Sequence, residues 1–449
     1  MAASVEQRLI IRHPSDPAIL VIGDSAVLRL PSVIADDRHT AEVDHINTAV
    51  RERFGLVTTV LRSLDHSDAN QEPIVRLHEL ELHGGQPRAV GLRWYERQSQ
   101  GSSVTGDDAR VIGDWFAEAR RRSIADGREW EEPGWFDRAR AWIERSLRDV
   151  GGVALREVVQ LRAWPSSSVL LARTARADFY FKALPYSLRH EPVVTAYLAE
   201  TAPRTIAPIV AVEPERRWLL MRACAGVNLE EVAEPSLWER SATAYARLQV
   251  ACVARAGTLR ALGCPERRLD ALAEALASLG SAAAVPGSTA VDGLSPAERE
   301  RLCLAVPSLR RRCHELNAYG IPPTIEHGDL WPGNFLVDQV SCVIIDWEEV
   351  AIGHPFLSLA HFLTGLSIYQ PTLSTPDMGQ RLQRAYLEPF SSIVPRERLS
   401  AALRLALPLS FIDMALRYQR QRPSVVRLHP WMRDLVPQAL RQALAEIES

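Results

Sequence analysis

The stretch from His327 to Glu348, which reads HGDLWPGNFLVDQVSCVIIDWE, constrains the fold of this chain more than any other. Asp329 and Asn334 are separated by a Pro-Gly pair, which predicts a tight turn that directs both side chains into one cleft. Asp346 follows the apolar run Val343–Ile345, which is typical of a buried strand. We therefore expect all three polar side chains to lie together at one end of a strand pair.

Two carboxylates and an amide at this spacing match a kinase catalytic loop and its metal-binding aspartate. Asp329 is the candidate catalytic residue, because a carboxylate there can orient and deprotonate an acceptor hydroxyl. Asn334 and Asp346 are candidate magnesium ligands, because Mg²⁺ prefers oxygen donors. We interpret His327 as a structural histidine that braces the loop. The pattern predicts ATP and Mg²⁺ as cofactors.

Lys182 is the single lysine in a chain whose lysines and arginines total 52. A lysine is a compact point charge that a planar arginine does not replace, which indicates a specific role. It lies in the predicted strand Asp178–Leu184, and a predicted helix with Glu191 near its start follows. We predict that Lys182 contacts the ATP phosphates and that Glu191 orients it. Met221 and Ala223 lie where a hinge would bind adenine through backbone groups.

Two further predicted strands, Glu157–Leu161 and Val169–Thr174, precede the lysine strand. The connection between them contains Ser166, Ser167 and Ser168, which we predict to cover the phosphates through backbone N–H groups and hydroxyls. A serine-rich hairpin turn is also common for structural reasons alone, which is the alternative interpretation of this segment.

The segments HGDLWPGNFL and VIIDWEEVAIGHPFLSLAHFL resemble the aminoglycoside phosphotransferase and choline kinase family. The resemblance extends from Gly151 to the C-terminus. It implies an α+β, protein-kinase-like bilobal fold, with an antiparallel-sheet small lobe and a mostly helical large lobe. It also implies that Asp329 is catalytic, that Asn334 and Asp346 bind magnesium, and that Lys182 contacts ATP. The acceptor would be a small hydroxylated molecule such as an aminoglycoside, a sugar or an amino alcohol.

The chain departs from the family pattern at Ser358, where an aspartate is common. We expect this change to remove a hydrogen bond that braces the catalytic loop while the chemistry stays in place. The helical remainder would close the acceptor pocket, and acidic residues there would suit a cationic acceptor. Asp377, Asp413 and Glu388 are the candidates, although a solvated helix face explains most of them equally well.

The pattern of residues 1–105 predicts a small α+β module with short strands. Its predicted helix covers Thr40–Phe54 and ends at Gly55. The end of this helix weakly resembles a Nudix box, but only Glu52 falls on an expected acidic position. Three roles for the module stay open: it holds the acceptor, regulates access to the site, or mediates a homodimer.

The predicted organisation has four parts: the module 1–105, a helical linker 106–150, a small lobe 151–227 and a large lobe 228–449. Gly151-Gly152 marks the boundary between linker and small lobe. The capping-box pattern Ser295-Pro296-Ala297-Glu298 predicts the start of a helix within the large lobe.

The composition, with 47% hydrophobic residues, 24% charged residues and a net charge of −3, is that of an ordinary globular protein. It indicates neither a nucleic acid nor a membrane as an obligatory partner. The absence of a signal sequence pattern favours a cytoplasmic protein. The six cysteines lack metal-ligand spacing, so we expect reduced thiols.

Two alternatives to an active kinase remain open at this point. The first is a nucleotide-binding pseudokinase or scaffold whose N-terminal module binds a partner. The second is a Nudix-type hydrolase within residues 1–150. Turnover of ATP with an acceptor distinguishes the kinase from the scaffold, and pyrophosphatase activity of the front segment would support the hydrolase.

Overall fold

The computed structural model describes residues 4–23, 27–64, 75–88, 90–96, 103–104, 106–119, 127–285, 291–425 and 434–448. The chain divides into two compact units. The N-terminal unit comprises residues 1–189 and 215–221, and the C-terminal unit comprises residues 190–214 and 222–449. Strands dominate the first unit and helices the second, which confirms the predicted α+β class. The predicted domain boundaries at 105, 150 and 227 stay predictions.

The N-terminal unit begins with an eight-stranded sheet and three helices. The strands are β1 (Ser4–Arg12), β2 (Ala18–Gly23), β3 (Val27–Arg29), β4 (Ser32–Asp36), β5 (Leu56–Leu64), β6 (Val75–Gly85), β7 (Leu92–Glu96) and β8 (Ser103–Val104), and the helices are α1 (Asp44–Phe54), α2 (Gly106–Ala119) and α3 (Trp135–Asp149). The strand order is β5-β6-β1-β2-β3-β8, with β4 paired to β1 and β7 paired to β2. Strand β1 runs parallel to β6, whereas β5 and β6 form an antiparallel hairpin.

Helix α1 shows why the helical prediction for this module was correct. Ile46, Val50 and Phe54 recur at four-residue spacing, and all three are buried against the sheet. The helix ends at Gly55, which adopts the left-handed conformation with φ of 71° and donates its N–H to the carbonyl of Arg51. Four residues fewer are helical at the start than predicted.

The remaining strands of the N-terminal unit form a second sheet. These strands are β9 (Leu155–Ala163), β10 (Ser168–Thr174) and β11 (Asp178–Ala183), while β12 (Ile209–Glu213) belongs to the C-terminal unit and β13 (Trp218–Arg222) follows it. The sheet contains the order β13-β11-β10-β9. Trp142 of α3 packs edge-on against Phe181 and Trp218, with ring centroids 5.7 Å apart in both pairs. Helix α3 therefore shares a core with the lysine-bearing strand.

The C-terminal unit is mostly helical. Its helices are α4 (Glu191–Thr201), α5 (Pro235–Cys252), α6 (Ala256–Ala261), α7 (Leu269–Ala283), α8 (Pro296–Ala318), α9 (Leu359–Tyr369), α10 (Pro376–Leu387), α11 (Arg396–Val425) and α12 (Leu435–Glu448). Its short strands are β14 (Val227–Asn228), β15 (Glu266–Arg267), β16 (Thr324–Glu326), β17 (Phe335–Val337), β18 (Cys342–Ile344) and β19 (Ala351–Gly353). They form two three-stranded sheets, β14-β17-β18 and β15-β19-β16.

Two features of these helices follow from the sequence. Ser295 and Glu298 form the predicted capping box at the start of α8. The segment Arg396–Gln419 of α11 has a mean hydropathy of 1.6 and is long enough to cross a membrane, but 72% of its most apolar window is buried inside the protein. That burial is typical of a core helix.

Candidate active site

The hairpin formed by β17 and β18 brings the predicted metal ligands together. Phe335 pairs with Ile344 in antiparallel register, so the residue before β17 lies beside the residues after β18. The Ile345 N–H donates to the Asn334 carbonyl over 2.9 Å. Asn334 and Asp346 consequently flank one end of the hairpin, as the spacing predicted.

The loop between β16 and β17 joins Asp329 to the same end of the hairpin. The Trp331 N–H donates to the Asp329 carbonyl over 2.8 Å, and residues Pro332–Asn334 form one turn of 3₁₀ helix. The Asn334 side-chain Nδ2 donates to the Asp329 carbonyl over 2.7 Å and to its Oδ2 over 3.3 Å. The amide group of Asn334 therefore holds the carboxylate and turns its own Oδ1 away from Asp329.

The backbone of Asp346 is strained. Its φ is 64°, and Arg217 is the only other residue besides glycine with positive φ in the described part of the chain. Such a conformation costs on the order of 1–3 kcal/mol, and it persists only where the surrounding structure enforces it.

Like charges are concentrated around Asp329, whose side chain is 34% exposed. Partial burial, followed by the carboxylates of Asp346 and Glu348, raises the pKa of Asp329 to about 7. Carboxylates clustered in this way form a region of negative potential. A divalent cation would relieve this repulsion.

The oxygen donors at this position fit magnesium. The described residues contain no group of three or more His, Cys, Asp or Glu side chains arranged to hold a metal ion. The Asp346 carboxylate and the Asn334 Oδ1 would provide two hard oxygen ligands from the protein. Mg²⁺ is typically bound in this way, by one or two protein groups together with waters and substrate phosphates.

His327 braces the catalytic loop from inside the protein and is fully buried. Its Nδ1 accepts from the Asp329 N–H over 3.3 Å, and its Nε2 therefore donates to the Ile345 carbonyl over 2.9 Å. The ring packs on Trp347 with centroids 4.5 Å apart. These contacts agree with the predicted structural role.

The expectation that Ser358 leaves the loop without a brace is wrong. Its Oγ accepts a hydrogen bond from the Gly328 N–H over 3.2 Å, and Ser358 is fully buried. Gly328 has φ of 83°, and a Cβ there would collide with the carbonyl oxygen of Glu349. Glycine at this position therefore lets the turn at Glu349 approach the catalytic loop closely.

Aromatic side chains surround Asp329, a feature that the sequence did not predict. The Trp331 Nε1 donates to the Tyr418 hydroxyl over 3.0 Å, and Trp331 packs edge-on against Tyr369 with centroids 6.5 Å apart. The buried His361 has its Nε2 4.0 Å from the Asp329 Oδ1 and packs edge-on against Trp331 at 5.5 Å. We call Trp331, Tyr369 and Tyr418 the aromatic wall.

Glu230 adds negative charge beside this wall. A Cβ on Gly333 would lie 2.7 Å from the Glu230 Oε2, which places this carboxylate directly against the catalytic loop. Gln370 Nε2 donates to the Glu230 carbonyl over 2.7 Å, and burial raises the pKa of Glu230. Burial, followed by the nearby Glu230 charge, raises the pKa of Tyr369. In the sequence, the tryptophan two residues after Asp329, Trp331, was the feature that could have indicated the aromatic wall.

Comparison with known proteins identifies the family of this chain. The model of the phosphotransferase enzyme family matches residues 161–396, which include the catalytic loop and the hairpin. The chain belongs to this family. Membership supports the predicted resemblance and, with the observed order of strands and helices, the kinase-like fold. No curated protein matches the sequence.

Several solved structures of phosphotransferases and kinases are similar to this chain. A spectinomycin phosphotransferase in complex with ADP and spectinomycin shares 13% identity, covers 69% of this chain and 98% of its own, and has a TM-score of 0.44. A choline/ethanolamine kinase family protein from Mesorhizobium loti shares 18% identity with 70% and 95% coverage and a TM-score of 0.46. A choline kinase from Cryptosporidium parvum shares 14% identity with 65% and 89% coverage and a TM-score of 0.47.

The predicted nucleotide-binding residues of this phosphotransferase lie in both units. Lys182 lies in β11 of the N-terminal unit, is 5% exposed and pairs with Val169 of β10. Glu191 begins α4 in the C-terminal unit and is almost fully buried. Met221 and Ala223, at and just after β13, are half-buried.

The predicted phosphate-covering loop is a tight turn. The backbone groups of Trp164 and Ser167 hydrogen-bond to each other in both directions, with N···O distances of 2.9 and 3.2 Å, so Ser166 lies at the tip. Ser168 begins β10, is fully buried, and its Oγ donates to the Arg162 carbonyl over 3.0 Å. Ser166 is thus the member of the serine run placed at the end of the hairpin.

Two of the three acidic candidates for acceptor binding occupy different environments in the phosphotransferase. Asp413 lies in α11, is 5% exposed, and forms an ion pair with Arg417 over 3.0 Å. Its charge also acts on the buried Glu326. Asp377 lies in the first turn of α10 and is exposed. Their role in acceptor binding stays a prediction.

Proposed function

We propose that this protein is an ATP- and magnesium-dependent phosphotransferase that transfers the γ-phosphate of ATP to a hydroxyl group of a small molecule. Membership of the phosphotransferase enzyme family supports the reaction class. The observation that carries the proposal is the grouping of Asp329, Asn334 and Asp346, held by the bonds from Asn334 Nδ2 and by the hairpin register.

Asp329 would act on the acceptor. Its carboxylate accepts a hydrogen bond from the acceptor hydroxyl, aligns the oxygen for in-line attack and takes its proton. Asn334 holds the Asp329 Oδ2 at 3.3 Å, and His327 holds the Asp329 N–H at 3.3 Å, so the carboxylate is positioned before the acceptor arrives. Such preorganisation lowers the entropic cost of reaching the reactive geometry.

The donor side uses the other predicted residues. When bound, MgATP supplies the phosphoryl group and neutralises the charge that develops during transfer. Asn334 and Asp346 would hold the metal, Lys182 would contact the α- and β-phosphates, and Glu191 would orient Lys182. The proposal includes a cytoplasmic location, where ATP is available.

The surroundings of Asp329 favour a cationic acceptor. The aromatic wall presents three electron-rich rings, and an ammonium group over such rings is stabilised by about 0.5–2 kcal/mol. The Glu230 carboxylate against the loop, with Glu348 beside Asp329, adds negative potential. An amino alcohol or an aminoglycoside combines an ammonium group with a hydroxyl and satisfies both features, whereas a neutral sugar satisfies only one.

ADP release in the presence of ATP, Mg²⁺ and a panel of amino alcohols, aminoglycosides and neutral sugars tests the proposal. We expect turnover with a cationic acceptor and loss of turnover in the Asp329→Ala variant. Asp270→Ala is the matched control, because Asp270 is an exposed carboxylate of the same unit that pairs with Arg268. Tight MgATP binding without turnover on the whole panel would instead favour the pseudokinase or scaffold.

A further inference from the structure

The N-terminal module is joined to the phosphotransferase strands by backbone hydrogen bonds. We call His39–Val43 the brace segment. The Val43 N–H donates to the Leu161 carbonyl and the Ala163 N–H donates to the Ala41 carbonyl, each over 2.9 Å. The brace segment therefore pairs with β9 in the manner of an added edge strand, and all of these residues belong to the N-terminal unit.

A buried side chain extends this connection into the sheet of the module. Gln160 of β9 is 3% exposed, and its amide binds the backbone of Val60 in β5 twice. The Val60 N–H donates to Oε1 over 2.7 Å, and Nε2 donates to the Val60 carbonyl over 2.7 Å. Asn47 of α1 donates to the same Oε1 over 3.2 Å. Because both strands are held at once, β9 cannot shift relative to the module without breaking buried hydrogen bonds.

The brace segment also reaches the turn at Trp164–Ser167, which closes the hairpin of β9 and β10. The His39 ring packs against the Trp164 ring with centroids 5.2 Å apart. The His39 Nδ1 accepts from the Ala41 N–H over 3.2 Å, which fixes the orientation of the imidazole. Ala163, the residue before the turn, lies in the core that the module forms around α1.

We propose that the N-terminal module is the positioning element for the Trp164–Ser167 turn, and that His39 is the residue through which it acts. This inference rests on the proposed function, because the turn matters only if it receives the ATP phosphates. If the hairpin tip is already ordered before the nucleotide binds, binding costs less conformational entropy than if the tip must become ordered during binding. The module thus sets the affinity for MgATP. Its role in the protein is to support binding of the phosphate donor.

Binding of MgATP to the full-length chain, measured by isothermal titration calorimetry, tests the inference. An aromatic pair contributes about 0.5–1.5 kcal/mol, so His39→Ala should raise the dissociation constant of MgATP about two- to twelvefold. The His39→Phe variant keeps a ring against Trp164 and should bind within about twofold of the wild type. In turnover assays the KM for ATP should rise in His39→Ala, while kcat and the KM for the acceptor stay unchanged.

His13→Ala is the matched control. His13 belongs to the same module and packs on Trp94 with ring centroids 4.5 Å apart. The substitution therefore removes a similar aromatic contact at a position remote in sequence from the turn. Its MgATP affinity should equal that of the wild type.

Three results would overturn the inference: unchanged MgATP affinity in His39→Ala, an equal loss in His13→Ala, or no recovery in His39→Phe. A wild-type chain that fails to bind MgATP would contradict the proposed function itself. The two failures are therefore distinguishable in one set of titrations.

Discussion

Two carboxylates, Glu79 in the N-terminal unit and Asp329 in the C-terminal unit, lie in opposite electrostatic environments. Glu79 is fully buried and accepts bonds from Arg12 over 3.1 Å, Arg62 over 2.7 Å and the Trp115 Nε1 over 3.0 Å. Asp329 is crowded by carboxylates instead. A charge that is fully compensated holds a fold together, whereas a charge surrounded by like charges is maintained at a cost in stability, which indicates function.

The largest expected effect tests the functional side of this comparison. Asp329→Asn should lower kcat by about 10²–10⁴-fold, because the amide cannot accept the hydroxyl proton. The free energy of unfolding should stay equal or rise, since one of the crowded charges is removed. Steady-state kinetics and urea denaturation measure the two effects. A destabilised variant with normal kcat would reverse the assignment.

Glu79→Ala tests the structural side. This change removes the buried carboxylate that Arg12 and Arg62 share, so the free energy of unfolding should fall by about 3–5 kcal/mol. The kcat of the folded protein should stay unchanged. The control is Glu118→Ala, because Glu118 also pairs with Arg62 but is 51% exposed. It should cost about 1 kcal/mol or less. Equal destabilisation by both variants would contradict the comparison.

Ser358→Ala tests whether the catalytic loop depends on a neutral brace. The buried Gly328 N–H would lose its acceptor, which costs about 1–3 kcal/mol and should loosen the loop that carries Asp329. We expect a several-fold lower kcat, and Ser358→Thr, which keeps the hydroxyl, should retain most of it. Kinetics identical to the wild type in Ser358→Ala would show that His327 and Asn334 hold the loop without this hydroxyl.

The last prediction concerns the pH dependence of stability and Glu326, a carboxyl of the C-terminal unit that is crowded like Asp329. Burial and the Asp413 charge hold its pKa well above the ordinary value of 4.5, against the opposing effect of Arg417 and Arg267. The folded state binds this proton more tightly than the unfolded chain, so its contribution to stability is present at low pH and is lost as pH rises above 4.5. Glu326→Gln should weaken the fall in the free energy of unfolding with rising pH, measured by urea denaturation at a series of pH values. An unchanged fall would show that other titrating groups cause it.

The parts that were predicted correctly are those encoded over short distances. Helix α1, the capping box at Ser295 and the turn at Pro332–Asn334 depend on residues within a few positions of each other. The strand β1 was missed, because its buried Gln7 interrupts the apolar pattern. Gln7 accepts a hydrogen bond from His78 over 2.7 Å, and His78 lies far along the chain in β6.

The chemistry of the site was similarly accessible because it is local. Asp329, Asn334 and Asp346 lie within one loop and one hairpin, so their spacing alone predicts that they meet. The aromatic wall was not accessible in this way. Trp331 joins Tyr369 of α9 and Tyr418 of α11, which approach only when the helices pack. Gly365 allows this approach, since a Cβ there would collide with Pro332.

The sequence by itself determined the reaction class of this protein: the predicted catalytic loop, the predicted metal ligands and the single lysine all follow local or ordered patterns. Only the tertiary structure decided three other properties: the aromatic surroundings of Asp329, the brace at Ser358 and the attachment of the N-terminal module through Gln160 and Val60. These depend on contacts between residues that are remote along the chain. Tertiary packing selects such residue pairs from many possible partners. Within a short loop, hydrogen-bond geometry allows only a few arrangements.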